Sequence, residues 1–155
     1  NAGRLTKHTE DQEIAFFSLG ICTMSVLHEV NTVQSLVDYY KAATGLDMTT
    51  EELRKAGERV WNLTRLLNFR EGFTKEDDKL PRLWEMQVEN PIKTKSRGEI
   101  SLFEYFGKFI TPDVLKEIYA DYYDEHGWDA QTGVPTKEKL VELGIEEFAG
   151  DLKSA

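Results

Sequence analysis

An irregular all-α fold, several helices joined by long loops, is what this 155-residue sequence predicts. Apolar residues recur at spacings of three and four in several segments, and helix-capping residues bracket those segments. No stretch alternates apolar and polar residues over strand length between turn dipeptides. With 40% hydrophobic side chains there is enough apolar material for one core. Residues 1–155 are therefore expected to form a single helical domain, with a loosely ordered tail after about Phe148.

The elements follow in order. Residues 11–27 open with charge and then become almost wholly apolar, as expected of a segment buried on most sides. In residues 31–44 the apolar positions are Val33, Leu36, Val37, Tyr40 and Ala43, and Gly45 follows where a left-handed cap is wanted. Thr49 and Glu52 make a capping box, and Leu53, Ala56, Val60, Leu63 and Leu67 form one stripe, predicting a helix over 50–67. Residues 72–80 run up to Pro81 as an exit loop, residues 90–99 are a second, basic loop, and 83–88 are ambiguous. Residues 101–110 are apolar and aromatic. Thr111 and Pro112 then start a helix whose stripe is Leu115, Ile118, Tyr119 and Tyr122, stopping near His126 because Gly127 follows. A turn over Gly133, Val134, Pro135 and Thr136 caps a last helix, Lys137–Leu143, closed by Gly144. There is no internal repeat.

Charge and composition remove several classes of function. Nineteen Lys and Arg against 28 Asp and Glu give a formal charge of -9, which repels nucleic acid and anionic membrane. The longest uncharged apolar run, residues 14–27, is interrupted by Ser18, Gly20, Thr23 and Ser25 and falls short of the roughly 20 residues a bilayer crossing needs. The start at Asn1 carries no leader pattern, so a fragment without a signal peptide is expected. One cysteine cannot form an internal disulfide, which suits a cytoplasmic, reducing setting.

The piece with most chemical promise is Ser18-Leu19-Gly20-Ile21-Cys22. A thiolate is a soft ligand fit for iron-sulfur chemistry, and glycine lets backbone approach a cofactor closely. A cluster takes four thiolates, however, and taken alone a single buried Cys is more often a small core residue. His8, His28 and His126 lie far apart and build no zinc site of their own. The acidic pairs Glu51-Glu52, Asp77-Asp78 and Glu146-Glu147 suit solvated caps and loops better than catalytic dyads. Arg59, Arg65, Arg70 and Glu71 are placed to clamp the Asp77-Asp78 loop. The aromatic set Phe103, Tyr105, Phe106, Phe109, Tyr119, Tyr122 and Tyr123 fits core better than a pocket wall.

Three blocks early in the chain carry a resemblance: Gly57-Glu58-Arg59-Val60-Trp61-Asn62-Leu63, Leu67-Asn68-Phe69-Arg70-Glu71-Gly72-Phe73 and Asp77-Asp78-Lys79-Leu80-Pro81. It resumes at Asp121-Tyr122-Tyr123, Gly127-Trp128-Asp129, Gly133 through Leu140, and Leu143-Gly144. In order and spacing these resemble the C-terminal region of the aldehyde ferredoxin oxidoreductase family. The resemblance implies the C-terminal part of a larger enzyme that oxidises small aldehydes to acids and passes electrons to ferredoxin. It implies a tungstopterin, with tungsten or molybdenum between two pterins, beside a 4Fe-4S cluster completed by residues upstream of this chain. The family segment Asp-x-x-Gly-Leu-Cys matches Phe17 through Cys22, which implies Cys22 as the metal ligand and Gly20, Ile21, Cys22 and Thr23 as the cofactor-binding stretch. Ile21 for Leu is conservative. Phe17 for Asp is not, since a phenyl ring accepts no hydrogen bond from a pterin amine.

The expected partners are ferredoxin, the N-terminal domains of the same enzyme and an aldehyde, with homo-oligomerisation left open and no nucleic acid or membrane. By itself the chain is expected to be inactive. Two rival readings are a reductive relative acting on aromatic thioesters and a non-catalytic helical interaction domain in which Cys22 is merely buried.

Overall fold

Five helices make up most of what the computed structural model describes, which is residues 2–22, 24, 32–80, 92–94, 98–100 and 112–151. They are α1 (Ala2–Ser18), α2 (Val33–Thr44), α3 (Thr50–Arg70), α4 (Pro112–His126) and α5 (Lys137–Leu143), and the all-α expectation holds. One departure falls across the expected loop over 90–99 and its last residue lies just beyond it. There β1 (Ile92–Thr94) pairs antiparallel with β2 (Gly98–Ile100), Lys93 opposite Glu99. Three residue pairs are too short to show a period of two, so sequence pattern could not have found them.

The caps explain most helix ends. The Thr32 hydroxyl accepts from the Ser35 N–H at the start of α2, and Gly45 at φ 74° closes it. Thr49 and Glu52 form the expected reciprocal box at α3, which runs to Arg70 rather than stopping at Leu67. Thr136 caps α5 by accepting from the Lys139 N–H, and Gly144 ends it. The expected Thr111 cap, the ambiguous stretch 83–88 and the aromatic run 101–110 lie outside the described residues. A 3-10 turn, Glu146–Asp151, follows α5, with Ala149 packed on the neighbouring apolar cluster.

Helix α1 lies against both α3 and α4. Two glycines allow the approach: a Cβ on Gly3 would sit 2.6 Å from the backbone of Asp121 and Tyr122, and one on Gly57 would strike the Asp11 carbonyl of α1. One apolar cluster joins Ala15 and Phe16 of α1 to Leu36, Val37 and Leu53. A second joins Leu66 to Leu140, Leu143 and Ile145. Ion pairs join the helices: Lys7, paired with Asp11 within α1 at 2.5 Å, reaches Glu58 of α3 at 2.9 Å, and Lys139 of α5 reaches the same Glu58 at 3.1 Å. Among the described residues no helix is long and apolar enough to cross a membrane.

Candidate functional site

The expected interior segment, residues 11–27, is split by a helix end. Helix α1 stops at Ser18 and its C-terminus is closed by a pair of crossed hydrogen bonds: the Ile21 N–H donates to the Phe16 carbonyl at 3.0 Å and the Gly20 N–H to the Phe17 carbonyl at 2.9 Å. This is the Schellman arrangement, with Gly20 at φ 73° in the left-handed position and Ile21 packed back on the cluster that holds Phe16. Only part of the segment is interior. Ala15 and Phe16 are buried, whereas Phe17 is 57% and Met24 54% exposed. Apolar composition alone does not show which side of a helix meets the core.

The sequence-predicted site residues fall on this turn. Gly20 is exposed with open space about it, Ile21 is half-buried, Cys22 is exposed and in no disulfide, and Thr23 lies outside the described residues. The expectation for an isolated thiol, a small buried core residue, is not met. The N–H groups of Gly20 and Ile21 are committed to the cap. An exposed thiol at the end of a turn anchored by a buried phenyl ring fits a cluster ligand, which needs both access and a fixed position. Among the described residues no three His, Cys, Asp or Glu side chains gather as a metal group. His8 is exposed, His126 is buried, and His28 lies outside the described residues.

A second constellation, polar and aromatic, lies between α1, α3 and α4. Arg65 grips Asp78 with both terminal nitrogens, at 2.7 and 2.5 Å, while its Nε donates to the Gly133 carbonyl at 3.0 Å. That is the clamp expected from the arginines of α3. Arg59 instead caps the carbonyl of Leu143. The Arg65 guanidinium also lies over the Trp128 ring, 4.5 Å from its centroid. The Trp128 indole donates to the Asn62 side-chain oxygen at 2.8 Å, and both residues are buried. Tyr123 donates to Asp78 at 2.7 Å. Tyr122 donates to Glu10, and His126 Nε2 lies 3.1 Å from the same oxygen. Burial resists ionisation of Asp78, but the bonds from Arg65 and Tyr123 outweigh it and hold the carboxyl below its ordinary value. Burial, with the nearby carboxylates, pushes the Tyr122 and Tyr123 phenols well above theirs.

Of the aromatic set expected to be core, Tyr123 is buried, Tyr119 and Tyr122 are half-buried and the four phenylalanine and tyrosine residues of 103–109 lie outside the described residues; Tyr119, Tyr122 and Tyr123 also wall a cavity of about 280 Å³ with Trp61, Arg65 and Asp78. Every hydrogen bond named for Arg65, Asp78 and Tyr123 is internal, so the constellation acts as a fastener. Sequence reasoning missed Asn62 and Trp128; the adjacent Gly127, at φ 67°, marks the turn that swings Trp128 inward.

A family model described as aldehyde ferredoxin oxidoreductase, domains 2 and 3, matches residues 1–145. The chain belongs to the aldehyde ferredoxin oxidoreductase family. The tungsten-containing aldehyde ferredoxin oxidoreductase of Pyrococcus furiosus is 40% identical over 114 residues, covering 72% of this chain and 16% of that protein. The protein of the same name from Pyrococcus abyssi is 38% identical over 114 residues, with the same coverage of each chain. That from Thermococcus kodakarensis is 37% identical over 113 residues, again 72% of this chain and 16% of its own length. The match thus spans about a sixth of each relative, a C-terminal domain of the aldehyde ferredoxin oxidoreductase family and not its whole length.

Proposed function

We propose that this aldehyde ferredoxin oxidoreductase domain closes over the cofactors of a cytoplasmic enzyme that oxidises aldehydes to carboxylic acids and hands the electrons to ferredoxin. The observation that carries the reading is the exposed Cys22 directly after a capped turn, in a chain whose named relatives are tungsten-containing oxidoreductases. When bound, a tungstopterin supplies the two-electron step and a 4Fe-4S cluster carries electrons away one at a time.

What the chain's own residues do follows from the turn. Phe16, buried to 1% exposure, and Ile21 pin both ends of the cap to the first apolar cluster, and Cys22 follows directly after Ile21. Gly20 supplies the left-handed residue that turns the chain back after α1. Cys22 would hold the cluster through its sulfur. Carbonyl oxygens from Gly20 to Thr23 are acceptors for pterin amine groups, a role the Phe17 ring cannot take. Helices α2 and α3 back this turn through Leu36, Val37 and Leu53 and shield its inner side from water.

The test is the full-length protein prepared without oxygen and supplied with tungstate. The expected result is tungsten and iron in the purified protein and reduction of ferredoxin that depends on added aldehyde. A metal-loaded protein that leaves aldehydes untouched and reduces an aromatic thioester would replace the proposed reaction with its reductive counterpart. Protein that takes up neither metal would leave a helical interaction domain.

A further inference from the structure

We propose that a second cavity, on the face of α4 that meets the 3-10 turn Lys75–Asp77, binds a small aromatic carboxylate through the ammonium groups of Lys75 and Lys116 and the rings of Tyr119 and Tyr123. The proposal stands on residues of this chain alone and does not depend on the cluster reading above.

One side of α4 supplies most of the lining. Leu115, Lys116, Tyr119, Ala120 and Tyr123 recur at helical spacing and so share a face of the helix. Lys75 and Ala130 complete the lining, and the space measures about 450 Å³, inside the roughly 300–1,000 Å³ usual for small-molecule sites. The rings of Tyr119 and Tyr123 lie 20° from parallel with centroids 6.4 Å apart, and both also line the neighbouring cavity beside Trp61. Apart from the lysine ends and the phenol hydroxyls, the side chains that line this cavity are apolar.

Charge selects the ligand. The chain has 28 acidic residues against 19 basic ones, yet two lysines and no carboxylate line this cavity. The neighbouring cavity adds Arg65 and Lys79, and its carboxylate, Asp78, is already held by Arg65. The half-buried Lys75 donates to the Ala130 carbonyl at 2.5 Å and lies 5.3 Å from the centroid of the Tyr123 ring. Those contacts fix the ammonium and leave it two further N–H donors. Lys116 is exposed and makes no ion pair among the described residues. An anion here meets two cations, and its body meets ring faces and aliphatic carbon. Two ammonium groups suit the single charge of a carboxylate, whereas a phosphate calls for more donors than this apolar lining supplies. A flat ring stacks on tyrosine in a way that an alkyl chain cannot.

The experiment titrates benzoate into the full-length protein by calorimetry, beside benzamide, which lacks the charge, and hexanoate, which lacks the ring. Lys116→Gln removes one cation, Ala120→Trp fills the cavity from an exposed position on α4, and Lys137→Gln changes an exposed lysine outside the lining. Benzoate is expected to bind saturably, and benzamide and hexanoate several-fold more weakly. Lys116→Gln is expected to weaken benzoate binding by roughly two- to five-fold, the worth of an exposed ion pair. Ala120→Trp is expected to abolish binding and Lys137→Gln to leave it unchanged, with thermal midpoints checking that each variant is folded. If Ala120→Trp unfolds, Lys116→Gln and the ligand series decide the matter. No saturable binding, equal affinity for benzoate and benzamide, or wild-type affinity in Lys116→Gln would overturn the site, the last because benzoate would then be bound elsewhere. Hexanoate binding as tightly as benzoate would overturn the aromatic class.

Discussion

Replacing Gly57 with alanine sets helix propensity against packing, and the two predict opposite signs. In an exposed helix the change would stabilise by about 1 kcal/mol. Here the added Cβ would overlap the Asp11 carbonyl oxygen of α1, with the Asp11 carbonyl carbon and Ile14 Cγ2 both at 3.2 Å. Comfortable carbon contacts lie at about 3.5–4.0 Å, so α1 and α3 would have to part by roughly 1 Å. The obstacle is main chain, which cannot rotate aside as a side chain can. Parting the helices also stretches the Lys7 to Glu58 ion pair that spans them. Overpacking of this kind costs about 1–3 kcal/mol and removing backbone contacts adds to it, so a net loss of about 1–2 kcal/mol remains after the propensity gain. For a chain of this size each kcal/mol is worth about 2–4 °C, giving a fall of roughly 2–8 °C in thermal midpoint. Calorimetry or denaturant titration of Gly57→Ala against wild type measures it. An unchanged or higher midpoint would refute the close approach of α1 to α3.

Two further outcomes follow from the fastener. Trp128→Phe leaves the oxygen of fully buried Asn62 without its donor at 2.8 Å and is expected to cost about 1–3 kcal/mol in denaturant titration; a loss within error of zero contradicts the buried bond. Asp78 has a folded-state pKa below its unfolded one, so its contribution is fully present above the unfolded value of about 3.9 and is lost as pH falls through the lower, folded value. Asp78→Asn is therefore expected to flatten the acid side of the stability profile, below about pH 4, and to be less stable than wild type near neutrality. A variant with the same acid limb as wild type would show that the Arg65 clamp does not persist in solution.

Much of the fold was legible because the signals were local. The box of Thr49 and Glu52, the Thr136 cap and Gly144 mark the ends of α3 and α5 through bonds to near neighbours, and those helices begin where the sequence places them. Arg65 with Asp78 was legible as a clamp because only 13 residues separate them. What escaped depends on distant partners. Trp128 and Asn62 lie 66 residues apart, and nothing in the spacing of either announces the other. The start of α1 at Ala2 was missed because its first turns bury little apolar surface: Gly3 meets α4 through backbone, and Leu5 is 68% exposed. For the candidate site, sequence singled out Cys22, but a run of apolar residues could not say that α1 ends at Ser18, nor that Phe16 faces the core and Phe17 does not.

The most direct measurement is iron content and the paramagnetic spectrum of the reduced full-length protein, wild type beside Cys22→Ala. Because the thiol is exposed and lies outside the helix cap, the substitution is expected to leave helix content intact while iron falls and the reduced-cluster signal is lost or altered. Wild-type iron and an identical spectrum in the alanine variant would mean that no iron is bound through this sulfur.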